Sequence, residues 1–222
     1  MGRKRGQILP LPAVLLAGVG ASLGSVFLFG KLADEVLENE SMAIDKRVVE
    51  EAREMRSPTL DSVMSAATAL GEPWALSVSG VLVGLGLLSQ DRKADVATWV
   101  SGLAGGGLLN ELLKRLFHRA RPALKLRRAH ATGYSFPSGH AMMTLSTYGT
   151  LAYLVSRHGN LIGHPAARVI WAPVLLLCAL VGSSRVYLEV HYPTDVLAGW
   201  CAAIVWATAC GTARNFMEPE ES

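Results

Sequence analysis

The stretch Ser184-Arg185-Val186-Tyr187-Leu188-Glu189-Val190-His191-Tyr192-Pro193-Thr194-Asp195 is a polar island between two long apolar runs, residues 169–183 and 196–213. Apolar runs of that length on both sides predict membrane-spanning helices joined by a short polar loop. Within the island, Arg185 is a permanent cation with a planar donor fork suited to phosphate. His191 can act as a nucleophile or base near neutral pH. Asp195 follows His191 by four positions, about one helical turn if a helix begins between them. Its carboxylate is then placed to hold the far ring nitrogen, as the third member of a triad does.

The rest of the chain supports a membrane setting. Of 222 residues, 50% are hydrophobic and only 18% are charged, against about 25% charged in an average soluble domain. Mean hydropathy is +0.31. The net charge of +3 conceals a local asymmetry: positions 114–128 carry seven Lys or Arg and no acid. Between apolar spans, such a cluster suits a membrane-level anion better than nucleic acid. Cys178, Cys201 and Cys210 all lie in apolar runs and form no CxxC pair, which reads as buried thiols.

From the N-terminus, Arg3-Lys4-Arg5 precedes an uncharged stretch, 6–30, that is longer than a signal-peptide core and is read as a retained first span. Residues 31–58 alternate charge with Val36, Leu37, Ile44, Val48 and Val49, predicting an amphipathic connection along the membrane surface whose individual charges face solvent. A moderately apolar segment, 59–71, leads to Pro73, placed as the first residue of a second span over 74–90. The third span covers 96–113. Its Gly102, Gly105, Gly106 and Gly107 read as close-packing positions, since they lack phosphate-loop spacing. Lys114 ends that span, and Pro122 stops any helical continuation. Spans four to six follow at 141–156, 169–183 and 196–213. The expected architecture is all-α: one membrane-embedded domain over 1–222, a six-transmembrane-helix bundle with an amphipathic interfacial region after the first span.

With six spans, two polar islands fall in the loop between spans three and four: Lys114 with Arg121-Pro122, and Pro137-Ser138-Gly139-His140. The third, 184–195, lies between spans five and six on the same side of the membrane. Together they carry the parts needed for phosphoryl transfer through a covalent histidine. Lys114, Arg121 and Arg185 would neutralise phosphate oxygens. Ser138 and Gly139 precede a helix and would turn backbone amides toward an anion. His191 would attack phosphorus while Asp195 orients it, and His140 would protonate the departing oxygen and then activate water. No metal and no cofactor is called for, because the cations and the helix end supply the positive charge.

Lys114-x6-Arg121-Pro122, Pro137-Ser138-Gly139-His140 and Ser184-Arg185-x5-His191-x3-Asp195 resemble the three-part signature of the type-2 phosphatidic acid phosphatase superfamily, with all eleven fixed positions present. The resemblance implies a metal-independent membrane lipid phosphatase with catalytic His191, His140 and Asp195. Its substrate-binding residues would be Lys114, Arg121, Ser138, Gly139 and Arg185. The substrates implied are phosphatidylglycerophosphate, phosphatidate, diacylglycerol pyrophosphate or undecaprenyl pyrophosphate. The partners are then lipid substrate and membrane lipids, with no nucleic acid.

Two other functions fit parts of the pattern. A lipid phosphotransferase would use the same site with an acceptor other than water. A non-catalytic lipid-binding or transport protein would need only the cations, which leaves His140, His191 and Asp195 unexplained. Arg115, Arg119, Lys125, Arg127 and Arg128 read as interfacial anchors or head-group contacts, and His118, His130, His158 and His164 as surface residues. Glu189 has no role on this reading. Arg3, Lys4 and Arg5 place both termini in the cytoplasm. The site then faces the periplasm or cell exterior, although most of the 21 Lys and Arg fall on that side.

Overall fold

The computed structural model describes residues 11–123, 128–129, 131–158 and 169–217, and within them the chain is helical, with no strand. The order is α1 (Leu11–Leu37), α2 (Met42–Glu54), α3 (Pro58–Ala69), α4 (Pro73–Leu88), α5 (Lys93–Val100), a π-helical turn Ser101–Gly105, α6 (Gly106–Phe117), α7 (Gly139–Arg157), α8 (Trp171–Tyr187) and α9 (Pro193–Met217). Arg3 to Arg5, Lys125, Arg127, His130, His164 and the acidic tail lie outside the described residues.

Local chemistry sets the breaks. Ser57 caps α3 by accepting the Leu60 amide at 3.2 Å, with Pro58 in the first helical position. Pro73 and Pro193 open α4 and α9 in the same way. The helix carrying Lys114 ends earlier than Pro122: His118 takes a left-handed conformation, φ 48°, and its amide closes on the Lys114 carbonyl. That turn sends Arg119 and Arg121 back over the end of the bundle.

Helix α9 is the hub, packing on α1 and α7, while α8 packs on α7 and α3. Met142, Leu145, Ala152, Val174, Cys178, Ala202 and Ala203 form the core between α7, α8 and α9. Phe29, Phe117 and Phe136 make a second contact, with Phe117 and Phe136 ring centroids 4.9 Å apart. The glycine run does serve close packing: a Cβ on Gly105 would lie 2.3 Å from Trp206 Cζ2, and one on Gly102 would lie 2.5 Å from Thr150 Oγ1. All three cysteines are buried and free.

Helix α9 is by itself long and apolar enough to cross a bilayer. The pair α3 and α4, bent by 48°, meets the same criterion together, and α8 is apolar but shorter. The C-terminal ends of α6 and α8 and the N-terminal ends of α7 and α9 gather at one end of the bundle. At the other end, buried Asp95 of α5 accepts from Arg214 of α9 at 2.6 Å and lies 2.7 Å from His158, beyond α7. His158, expected as a plain surface residue, is therefore part of a clamp between three helices.

Candidate active site

A cavity of about 630 Å³ opens where those four helix ends meet, and Lys114, Arg121, Gly139, His140, Arg185 and His191 all line it. Glu72 just before α4, Leu76 of α4, Leu103 of the π turn, Leu108 of α6 and Met143 of α7 also line it. Three stretches that are distant in the chain are thus brought to one polar space with an apolar flank.

His191 sits in the turn between α8 and α9 and is 1% exposed. Its Nδ1 is 3.3 Å from Asp195 Oδ2, and its Nε2 is 2.9 Å from Arg121 Nη1. A guanidinium can only donate and a carboxylate can only accept. The pair therefore assigns the tautomer: the proton is on Nδ1, and Nε2 presents its lone pair toward the cavity. Burial, with Arg121 and Arg185 adding to it, pushes the imidazole down to about 4 against the pull of Asp195. The ring is neutral at physiological pH.

Asp195 is completely buried and holds more than His191. Oδ2 also accepts the Tyr192 amide at 2.9 Å, and Oδ1 accepts Arg119 Nη1 at 2.6 Å. Arg119, read from sequence as an interfacial anchor, is instead buried. Its second nitrogen donates to Asp45 Oδ2 of α2 at 2.6 Å, and its guanidinium carbon stands 4.5 Å from the Tyr192 ring centroid. Asp45 closes the circuit by accepting the Thr194 amide at 3.1 Å and the Thr194 hydroxyl at 2.7 Å. The expectation that charges in 31–58 face solvent fails at Asp45, which is 0% exposed. The missed signal is the shared helical face of Asp45, Val49 and Arg53, spaced by four.

The far end of α2 reaches the same loop. Arg53 Nη2 donates to Glu189 Oε2 at 2.6 Å, and Arg56 also pairs with Glu189. Glu189 is buried with φ 55°, so the backbone just before Val190 and His191 is in a left-handed conformation held by two arginines. Glu189 thus acquires a place in the structure. Helix α2 grips the loop on both sides of His191.

At the start of α7, Ser138 departs from expectation. Its amide donates to the Asp195 carbonyl at 2.9 Å and so cannot face an anion. The first-turn amides without an intrahelical acceptor are those of Gly139, His140 and Ala141, of which Gly139 and His140 line the cavity. A Cβ on Gly139 would lie 3.5 Å from Lys114 Nζ, which shows how closely that lysine approaches the helix start. Arg185 donates to Thr68 of α3 and is 1% exposed. Arg121 is anchored by the Val190 carbonyl at 2.8 Å and the Thr132 carbonyl at 3.0 Å. Ser138 Oγ, His140 Nε2, Thr144 Oγ1 and Arg185 Nε are buried without a hydrogen-bond partner among the described residues. Of the other basic residues, Arg115 pairs with Glu111 at 3.4 Å and Arg128 with Asp61 at 2.8 Å.

Residues 95–216 match the PAP2 superfamily. The chain is 31% identical over 182 residues to phosphatidylglycerophosphatase B of Bacillus subtilis, covering 82% of this chain and 89% of that protein. It is 29% identical to an undecaprenyl-diphosphatase of Sulfolobus acidocaldarius over 64% of this chain and 65% of that protein. The crystal structure of the transmembrane PAP2-type phosphatidylglycerolphosphate phosphatase from Bacillus subtilis superposes with a TM-score of 0.84 at 27% identity, covering 90% of this chain and 98% of that one. Lys114, Arg121, Gly139, His140, Arg185 and His191 all fall within the matched segment, whereas Glu72 and Leu76 precede it, and the chain belongs to the PAP2 superfamily.

Proposed function

We propose that this protein hydrolyses the phosphate monoester or pyrophosphate of a membrane lipid through a phosphohistidine intermediate. The observation that carries the reading is the placement of neutral His191 at a cavity lined by Lys114, Arg121 and Arg185, with His140 across from it. Nε2 of His191 attacks phosphorus, the bond to the leaving oxygen breaks, and His140 gives that oxygen its proton. Attack requires Arg121 Nη1 to shift its hydrogen bond from Nε2 to a phosphate oxygen, so substrate binding itself uncovers the lone pair. Asp195 stabilises the charge that develops on the ring through Nδ1. In the second half, His140 takes a proton from water, the water oxygen attacks phosphorus, and the P–N bond breaks to release phosphate and restore His191.

The same reading places six spans in the bilayer: α1, α4, α5 continued through the π turn into α6, α7, α8 and α9. Exposed Phe27, Leu82, Leu85, Leu112, Leu175 and Leu176 supply a lipid-facing surface around them. Both termini then lie in the cytoplasm, and the cavity opens to the periplasm or cell exterior. A phosphotransferase using the same intermediate would differ only in the acceptor.

Purified protein in detergent, assayed without added metal against a panel of lipid monophosphates and pyrophosphates, should release inorganic phosphate. Failure on every substrate, with lipid binding retained, would sink the enzymatic reading. A modified acceptor with little free phosphate would point to the transferase. A cysteine introduced at Thr132 should react with an impermeant reagent in intact cells, and protection there would reverse the orientation.

A further inference from the structure

The cavity holds one carboxylate that none of the three motifs contains. Glu72 immediately precedes α4, and its Oε1 lies 3.2 Å from His140 Nε2, at ion-pair distance but without hydrogen-bond alignment. Its position is fixed by its neighbour. A Cβ on Gly71 would meet Val181 Cγ1 at 2.6 Å, Thr144 Oγ1 at 2.9 Å and His140 Cδ2 at 3.3 Å, so this turn is pressed against the histidine. The Glu72 side chain is about one-third exposed, toward the cavity.

We propose that Glu72 is a positioning and specificity residue that suits this site to lipid phosphate monoesters, whose leaving oxygen belongs to an alcohol, rather than to lipid pyrophosphates. The inference rests on His140 acting as the acid in the proposed reaction. An alcohol oxygen leaves poorly unless it is protonated, so monoester cleavage depends on a charged His140. Burial and the cations Arg185, Lys114 and Arg121 all oppose that charge, and the Glu72 carboxylate, 3.2 Å from Nε2, is the anion placed to favour it. A departing phosphate needs no such proton. A second phosphate lying against Glu72 would also meet like charge. The cations hold the phosphoryl group being transferred, and the carboxylate beside His140 selects what leaves.

Phosphatidate and diacylglycerol pyrophosphate share one lipid anchor and differ in the leaving group, which makes them the probes. The readout is kcat/KM in detergent micelles, because it reports the step that forms the phosphohistidine and not its hydrolysis. Wild-type protein should prefer phosphatidate. Glu72→Gln should lower kcat/KM for phosphatidate by about 100-fold, within the range for general acid catalysis, and raise that for the pyrophosphate, because the like charge facing its second phosphate is gone. Glu72→Asp, which keeps the charge, should recover part of the phosphatidate activity. Equal loss on both substrates would overturn the proposal, since a merely structural defect ignores the leaving group. A wild type that prefers the pyrophosphate would overturn it as well. Wild-type protein inert on both would remove the phosphatase reading and this inference with it.

Discussion

Arg119 Nη1 lies 2.6 Å from Asp195 Oδ1, and the other oxygen of the same carboxylate faces His191 Nδ1 at 3.3 Å. The residue that orients the histidine is thus itself oriented by a buried arginine, and that arginine by Asp45. Replacing Arg119 with Met would leave two buried carboxylates without a cation, at a cost of about 3–5 kcal/mol. Thermal or denaturant unfolding in detergent measures it. Asp45→Asn should destabilise too, and the double variant should lose less than the sum of the two, because both break one network.

Removing the proposed nucleophile gives a sharper chemical outcome. His191→Ala should abolish phosphate release and the acid-labile radiolabel expected on brief incubation with a labelled lipid phosphate. Retained turnover would remove the covalent route. Asp195→Asn should keep the fold's outline and reduce kcat by on the order of 10³–10⁴-fold, as loss of a tautomer-holding carboxylate does.

The pH dependence follows from the His191 environment. The ring must be unprotonated to attack, and burial holds it down to about 4. The acid limb that reports His191 in kcat/KM should therefore lie near pH 4 and not near the ordinary histidine value of about 6.5. Stability has the same sign. Below about pH 6.5 the unfolded chain takes a proton that the folded chain refuses until about pH 4, so this contribution is lost as pH falls through that window.

Glu189→Gln should loosen the grip of α2 on the loop, because Arg53 and Arg56 lose their shared carboxylate. A lower melting temperature and a reduced kcat with little change in KM are expected. Restoration of wild-type kcat at saturating substrate would show that the brace does not position His191.

Gly105→Ala tests the packing. The added Cβ would stand 2.3 Å from the Trp206 ring, so the indole must shift and give up its 2.9 Å bond to the Ser101 carbonyl. A loss of about 1–3 kcal/mol is expected, as for overpacking elsewhere.

Much of this was legible from local spelling. Lys114, Arg121, His140, Arg185 and His191 each sit in a short motif, and the apolar runs on either side placed those motifs at one end of a bundle. Asp45, Arg119 and Glu189 were not legible, because their meaning lies in partners 74 to 149 positions away. A charge in an amphipathic segment looks solvated until the helix is docked, and only docking turned Asp45 inward. Glu72 was hidden for another reason: as the residue before Pro73 it read only as a helix boundary, with nothing local to tie it to His140.

The π-helical turn at Ser101–Gly105 has a consequence for the rotational phase of the helix that carries Lys114. Asp95 and Lys114 are 19 positions apart, and at about 100° per residue an unbroken α-helix would leave them roughly 100° out of alignment. A π turn takes up about one extra residue, which brings the two back onto one side. Asp95 can then be clamped by Arg214 at one end while Lys114 points into the cavity at the other. Straightening this turn into α-helix without shortening the chain would rotate the lysine away from the cavity, whereas deleting one residue from it would keep Lys114 in phase with Asp95.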